Sequence, residues 1–111
     1  MKKSATIAEK IHMANVAALG CILCRRLGHI GTPAEIHHIR YGVGKGQRAS
    51  HFEVIPACPE HHRGTTGIHG LGTKGFVKKY GVTEHELLEE VLNLLEETRK
   101  IESIFPAGGK I

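Results

Sequence analysis

The feature that most constrains the fold of this chain is a pair of matched four-residue motifs. "CILC" at positions 21–24 and "CPEH" at positions 58–61 each separate two metal-binding side chains by two residues. Zinc is commonly held by two such pairs, because each pair covers one side of a tetrahedral ion. The motifs therefore predict a closed structural zinc site made by Cys21, Cys24, Cys58 and His61.

Two other interpretations of the cysteines stay open at this point. Cys21 and Cys24 also have the spacing of a redox pair, and all three cysteines could be small core residues beside an incidental His61. Three is an odd number, so a disulfide framework is not expected. We find no apolar run suited to a signal peptide or a membrane span, and we therefore expect a cytoplasmic protein with no membrane partner.

The length predicts one domain over residues 1–111, with a core at about 20–82 and a C-terminal helix at about 83–102. The chain has 14 glycines, three Phe, two Tyr and no Trp. Such a composition limits the apolar surface that folding can bury, and metal ions often supplement the core in chains of this size. A zinc-supported fold is therefore expected.

Charge is distributed unevenly along the chain. Residues 1–83 carry 12 Lys or Arg and 4 Glu, whereas residues 84–111 carry 3 and 7. A basic body of this kind attracts polyanions, of which nucleic acid is the commonest. The sequence has no Asp, so a cation site must use His, Cys, Glu or backbone oxygens.

The pattern of apolar residues predicts an α+β chain. An amphipathic helix is expected from Thr6 to Leu19, and Gly20 should end it. Two short strands, "AEIHHIR" and "HFEVIPAC", should form a hairpin across the glycine-rich loop "GVGKGQRAS". A helix is expected from Lys74 to Tyr80, and Thr83 with Glu86 predicts a capping box at the start of the last helix.

Histidines are concentrated in the middle of the sequence. Six of the nine lie within 33 positions: His37, His38, His51, His61, His62 and His69. Neighbouring side chains of a strand point to opposite faces, so His37 and His38 cannot both bind one ion comfortably. One of them is therefore expected to hold a metal and the other to act as a base, with His62 and His69 close to the metal-binding one.

The pattern "EIHHIR…CPEHHRG…IHG", preceded by CxxC, resembles the zinc-containing HNH (ββα-metal, His-Me finger) endonucleases. Within them it is most similar to the phage-encoded recombination-enhancement (Ref) RecA-dependent nucleases, over roughly residues 10–100. The resemblance implies a small zinc-supported ββα-metal domain with flanking N- and C-terminal helices.

The resemblance also implies roles for individual residues. His37, His62 and His69 would bind a catalytic divalent ion, and His38 would be the general base. The middle Asn of the HNH motif has no counterpart, so Glu53 or His51 would have to orient His38. Four cations beside the motif are candidates for phosphate contacts: Arg40, Lys45, Arg48 and Arg63.

The function implied is a metal-dependent DNA endonuclease that leaves 5′-phosphate and 3′-hydroxyl ends. Its cofactors would be a structural Zn²⁺ and a catalytic Mg²⁺, Mn²⁺ or Zn²⁺, and its partners DNA and a RecA-type recombinase filament. A phage- or prophage-encoded protein of the bacterial cytoplasm is expected. The alternatives are a non-catalytic zinc module that binds nucleic acid, or a metal-binding interaction protein that uses its acidic C-terminal helix.

Overall fold

The computed structural model describes residues 4–40 and 49–104. Within these residues the chain is a small α+β structure in which five helices surround a two-stranded sheet. The elements are, in chain order, α1 (Ile7–Ala18), α2 (Ile22–Arg26), β1 (Glu35–His38), β2 (Val54–Ala57), α3 (Pro59–Arg63), α4 (Ile68–Tyr80) and α5 (Glu84–Ile104). The predicted basic loop falls largely on residues 41–48, so Lys45 and Arg48 lie outside the described residues.

Helix α1 begins and ends close to the predicted positions. Thr6 and Glu9 form a capping box, in which each side chain accepts a hydrogen bond from the other residue's backbone N–H. Gly20 follows the helix with a φ of 78° and packs against the backbone of Gly31, where a side chain would approach the Gly31 Cα to 2.9 Å. This tight turn leads directly into Cys21.

The predicted hairpin is confirmed, although both strands are shorter than expected. Strand β1 pairs antiparallel with β2, with His37 opposite Ile55 and His38 opposite Val54. All four residues of β2 are buried, so this strand forms the centre of the core. In β1, His37 is buried and His38 is half-buried, as expected if consecutive side chains point to opposite faces.

Helix α4 begins six residues earlier than predicted. Its first part contains Gly70 and Gly72, and glycines are typical of turns, so the sequence favoured a helix only from Lys74. In the structure the helix runs from Ile68 and is interrupted by a kink at Gly72, whose φ is 75°. His69 therefore lies in the first turn of a helix.

Helix α5 confirms the predicted capping box of Thr83 and Glu86. The apolar side chains Leu87, Leu88 and Val91 are buried, and the helix packs against β2 and α1. Glu84, its first residue, is buried as well although it is charged. The C-terminal helix thus contributes a carboxylate to the interior of the molecule.

The expectation that no segment is apolar enough to cross a membrane was wrong. Residues Ile7–Arg26 form a 20-residue segment that contains an 18-residue stretch with a mean hydropathy of 1.4, which suffices by length and composition alone. Buried core helices and signal sequences near an N-terminus pass the same test. Here the segment is divided into α1 and α2 by the turn at Gly20, and α1 packs on both strands.

Two candidate metal centres

The side chains of Cys21, Cys24, Cys58 and His61 form one compact cluster. The Nδ1 atom of His61 lies 3.5 Å from the Sγ atoms of Cys21 and Cys24 and 3.3 Å from that of Cys58, and the Cys24 and Cys58 sulfurs are 3.8 Å apart. Tetrahedral zinc would separate two sulfurs by about 3.8 Å and a sulfur from a nitrogen by about 3.5 Å. The cluster is therefore consistent with a four-ligand metal site.

Two short helices place these ligands. Cys21 is the N-cap of α2, and its sulfur accepts a hydrogen bond from the backbone N–H of Cys24. Cys58 is the N-cap of α3, and Pro59 fixes the first helical position after it. Burial raises the pKa of the Cys21 thiol to about 11, so a metal that binds here must displace protons. None of the three cysteines forms a disulfide.

A second cluster consists of His37, His62 and His69. Their ring centroids are 4.9 to 5.2 Å apart, and one nitrogen from each ring lies within 4.8 Å of the other two. The three residues come from β1, α3 and α4. Three protein ligands leave a coordination position open, as in catalytic metal sites, whereas the four-ligand cluster is closed.

Adjacent histidines serve different clusters because of the geometry of the elements that carry them. Consecutive side chains of an α-helix differ by about 100° in direction, so His61 and His62 of α3 face different clusters. Consecutive side chains of a strand point to opposite faces, so only His37 of the β1 pair reaches His62 and His69. The short helix α3 therefore belongs to both candidate metal sites.

A glycine-rich turn returns the chain so that His69 meets His62. A Cβ atom at Gly67 would lie 2.6 Å from the carbonyl oxygen of His61, and one at Gly70 would lie 2.9 Å from the Cα of Thr65. Only glycine allows these close approaches. Glu60 holds the turn by accepting a hydrogen bond from the backbone N–H of Thr66 at 3.1 Å.

Carboxylates bind two of the three clustered histidines. Nε2 of His37 is 2.8 Å from Oε1 of Glu84, and Nδ1 of His62 is 2.9 Å from Oε1 of Glu35. Hydrogen bonds from Arg63 and then from His62 lower the pKa of Glu35 to about 2. Burial opposes ionisation of Glu84, but the hydrogen bonds from His37 and the Arg40 backbone outweigh it, and the pKa is lowered.

The third histidine of the cluster, His69, is the most exposed. Partial removal of its ring from water, together with the nearby His37 and His62, lowers its pKa below the ordinary value of 6.5. The ring is therefore neutral near pH 7. A neutral imidazole is the form that binds a metal ion.

His38 points away from this cluster and contacts His51. Its Nε2 lies 2.9 Å from Nδ1 of His51, and the two residues line a pocket with Glu9, Ala49 and Ser50. Of the two residues considered for orienting His38, the structure thus places His51 against it. The carboxylate of Glu53 accepts a hydrogen bond from the backbone N–H of Ser50 at 3.0 Å.

The two described arginines of the predicted DNA-binding set both have carboxylate partners. Arg40 donates from Nε to Glu84 at 3.1 Å and from Nη2 to the carbonyl oxygen of Ile68 at 3.0 Å. Arg63 donates to both oxygens of Glu35, and its side chain is 66% exposed. Arg63 therefore presents more of its surface to a phosphate than Arg40, whose side chain is 30% exposed.

Comparison with known proteins assigns the chain to a family. A comparison with curated proteins found no match. A family model described as "Recombination enhancement, RecA-dependent nuclease" matches residues 5–96, which are 92 of the 111 residues. The match covers α1, both strands, α3 and α4, and so includes both candidate metal clusters. The resemblance noted in the sequence is thereby confirmed, and the chain belongs to the family of recombination-enhancement, RecA-dependent nucleases.

Proposed function

We propose that this protein is a metal-dependent DNA endonuclease of the HNH (ββα-metal) type. His37, His62 and His69 hold the catalytic divalent ion, and His38 is the general base. The observation that carries the proposal is the convergence of three histidines from three elements on one point, next to a separate four-ligand cluster. Cys21, Cys24, Cys58 and His61 hold a structural zinc ion, which supports the hairpin and α3.

The ligands of the second cluster favour certain ions. Mg²⁺ prefers oxygen ligands and retains its waters, whereas imidazole suits Zn²⁺ and other transition metals. Three imidazoles fit such an ion. We therefore propose Zn²⁺ as the ion of highest affinity at this site, with Mn²⁺ bound more weakly and Mg²⁺ most weakly.

The chemical step requires a base that works near neutral pH, which an imidazole provides. The hydrogen bond between His38 and His51 can have either ring as its donor. When the Nε2–H of His38 donates to Nδ1 of His51, the lone pair of the neutral His38 ring is on Nδ1. That nitrogen accepts the proton of the attacking water. His51 holds the ring in this orientation, which is the role that Asn has in the HNH motif.

Attack on the phosphodiester places negative charge on the phosphorane and on the departing 3′ oxygen. A bound divalent ion supplies the positive charge that stabilises both. Arg63 stands beside His62 and holds a neighbouring phosphate of the DNA backbone. The products carry 5′-phosphate and 3′-hydroxyl ends.

The family description names dependence on RecA and a role in recombination. We propose that the DNA substrate is bound by a RecA-type filament and that the protein acts in the cytoplasm of a bacterial host, encoded by a phage or prophage. The basic part of the chain, with 12 Lys or Arg against 4 Glu in residues 1–83, supports a polyanionic partner.

The test is cleavage of supercoiled plasmid by the purified zinc-loaded protein. The assay is run with Mn²⁺, Mg²⁺ or EDTA, and with naked DNA or DNA paired by a RecA filament. We expect ion-dependent cleavage on the filament-bound DNA, with product ends that DNA ligase can rejoin. Binding of DNA without cleavage under every condition would instead support the non-catalytic zinc module.

A prediction about DNA affinity concerns Lys45 and Arg48. Replacing both with Gln should weaken binding about equally for all DNA sequences, because contacts to phosphate carry no sequence information. The slope of log affinity against log salt concentration should fall by about 2, or roughly one per lost contact. Fluorescence anisotropy over a range of salt concentrations measures both effects.

The matched control replaces Lys78 and Lys79, two exposed lysines in the last turn of α4, with Gln. This variant removes the same charge but should keep the salt dependence of the parent. If both double variants changed the slope equally, Lys45 and Arg48 would act only through the net charge.

A further inference from the structure

Glu84 is a buried charged residue that the proposed mechanism does not use. Its side chain is 4% exposed and lies at the start of α5, outside the hairpin and α3. It accepts three hydrogen bonds: from Nε2 of His37 at 2.8 Å, from the backbone N–H of Arg40 at 2.8 Å and from Nε of Arg40 at 3.1 Å. A buried carboxylate is costly unless it is paired and hydrogen-bonded, and Glu84 is both.

The contact fixes which nitrogen of His37 carries a proton. Oε1 of Glu84 accepts a hydrogen bond from the Arg40 backbone N–H, and Oε2 accepts one from Nε of the Arg40 guanidinium, so the carboxylate acts as an acceptor toward His37 as well. Nε2 of His37 must therefore be the protonated nitrogen. In the neutral ring this leaves Nδ1 with a lone pair, which is what a metal ligand requires.

We infer that Glu84 is a positioning residue for the catalytic ion, acting through His37. The inference rests on the proposed function of the three-histidine cluster and assigns α5 a part in it. Because Arg40 also donates to the carbonyl oxygen of Ile68, Glu84 and Arg40 together join the end of β1 to the first residue of α4, next to His69. The C-terminal helix thereby fixes the position of β1 relative to α4, two of the three elements that carry the ligands.

Glu35 provides an internal comparison. It contacts a ring nitrogen of His62, here Nδ1, but it is 32% exposed and shares its oxygens with Arg63, which donates to both of them. Water can replace a lost hydrogen bond at Glu35 more easily than at the buried Glu84. Removal of Glu84 should therefore weaken the ion site more than removal of Glu35.

The experiment uses the full chain loaded with one equivalent of zinc and titrated with Mn²⁺ in a calorimeter. Glu84→Gln should lower the affinity for Mn²⁺ by about 10- to 100-fold, the usual effect of removing a group that orients a metal ligand. Glu35→Gln should have a smaller effect. Glu89→Gln, which makes the same change at an exposed position of α5, should bind like the parent.

The decisive part of a second measurement is made on the parent and so does not depend on how Glu84→Gln folds. Long-range ¹H–¹⁵N NMR of the zinc-loaded parent, before Mn²⁺ is added, should show His37 protonated on Nε2 and not on Nδ1. In Glu84→Gln the two tautomers should become mixed, which a purely structural role would not cause. A His37 ring protonated on Nδ1 in the parent would overturn the inference.

The outcomes separate this inference from the proposed function. One outcome is that the parent binds Mn²⁺, that His69→Ala loses it and that Glu84→Gln binds it like the parent. Glu84 then has no positioning role, although the three-histidine ion site is correct. If the zinc-loaded parent binds no second ion, the three-histidine site itself is wrong and the role of Glu84 falls with it.

Discussion

Cys58→Ser should release about one equivalent of zinc and leave the protein unfolded or strongly destabilised. Binding of structural zinc is coupled to folding and is worth about 10–16 kcal/mol in small zinc domains, which is as large as the about 5–15 kcal/mol of net stability of a typical domain. Cys58 immediately precedes α3, which also carries His62, so loss of the zinc ion should affect both metal clusters. Zinc analysis and thermal unfolding followed by circular dichroism measure the effect.

His62→Ala is the matched control for Cys58→Ser. It alters the same five-residue helix but only the three-histidine cluster, so it should keep the zinc and the secondary structure. A folded Cys58→Ser protein that retains one equivalent of zinc would refute the four-ligand assignment.

His38→Ala should keep the catalytic ion and DNA binding but lose cleavage by about 10²-fold or more, the usual scale for removing a general base. The half-buried side chain contacts His51 and lies outside the three-histidine cluster, so neither fold nor ion affinity should change much. Single-turnover cleavage at saturating Mn²⁺, with calorimetry of Mn²⁺ binding, separates the two properties.

His51→Ala is expected to fall between the parent and His38→Ala, because it removes the partner that orients the base and leaves the base itself. Loss of the catalytic ion in His38→Ala, together with normal ion binding in His37→Ala, would require the two roles to be exchanged.

The sequence predicted best those features that depend on local spacing. The two-residue separations within "CILC" and "CPEH" identified the members of the four-ligand cluster, because a tetrahedral ion demands that spacing. Thr83 and Glu86 marked the start of α5 because a capping box involves residues only three apart. Alternation along β1 predicted that His37 and His38 would face different surroundings.

Features that depend on contacts between distant segments were not predictable in the same way. Glu84 lies 47 residues after His37, in an acidic helix that resembles an ordinary solvated face, and no local pattern distinguishes it from Glu86 or Glu89. The contact of His38 with His51 also depended on where β2 begins. Because β2 starts only at Val54, residues 51–53 form a turn, and strand alternation does not apply to them.

The start of α4 was missed for a physical reason as well. Glycine lowers helix propensity, yet at Gly67 and Gly70 it is required by the close approach of the backbone of residues 61–65. Packing of the turn against α3 therefore overrides local propensity, and it is this packing that brings His69 to His62.

The most direct test of the three-histidine cluster as the catalytic centre is the single-turnover cleavage rate of His69→Ala as a function of Mn²⁺ concentration. His69 is exposed and contacts the rings of His37 and His62, so its removal should weaken ion binding without disturbing the core. His29→Ala, at another exposed histidine, is the control and should follow the parent. We expect the His69→Ala curve to be shifted to higher Mn²⁺ concentration, with activity partly restored there. A His69→Ala curve that coincides with that of the parent at every Mn²⁺ concentration would show that the three-histidine cluster does not hold the catalytic ion.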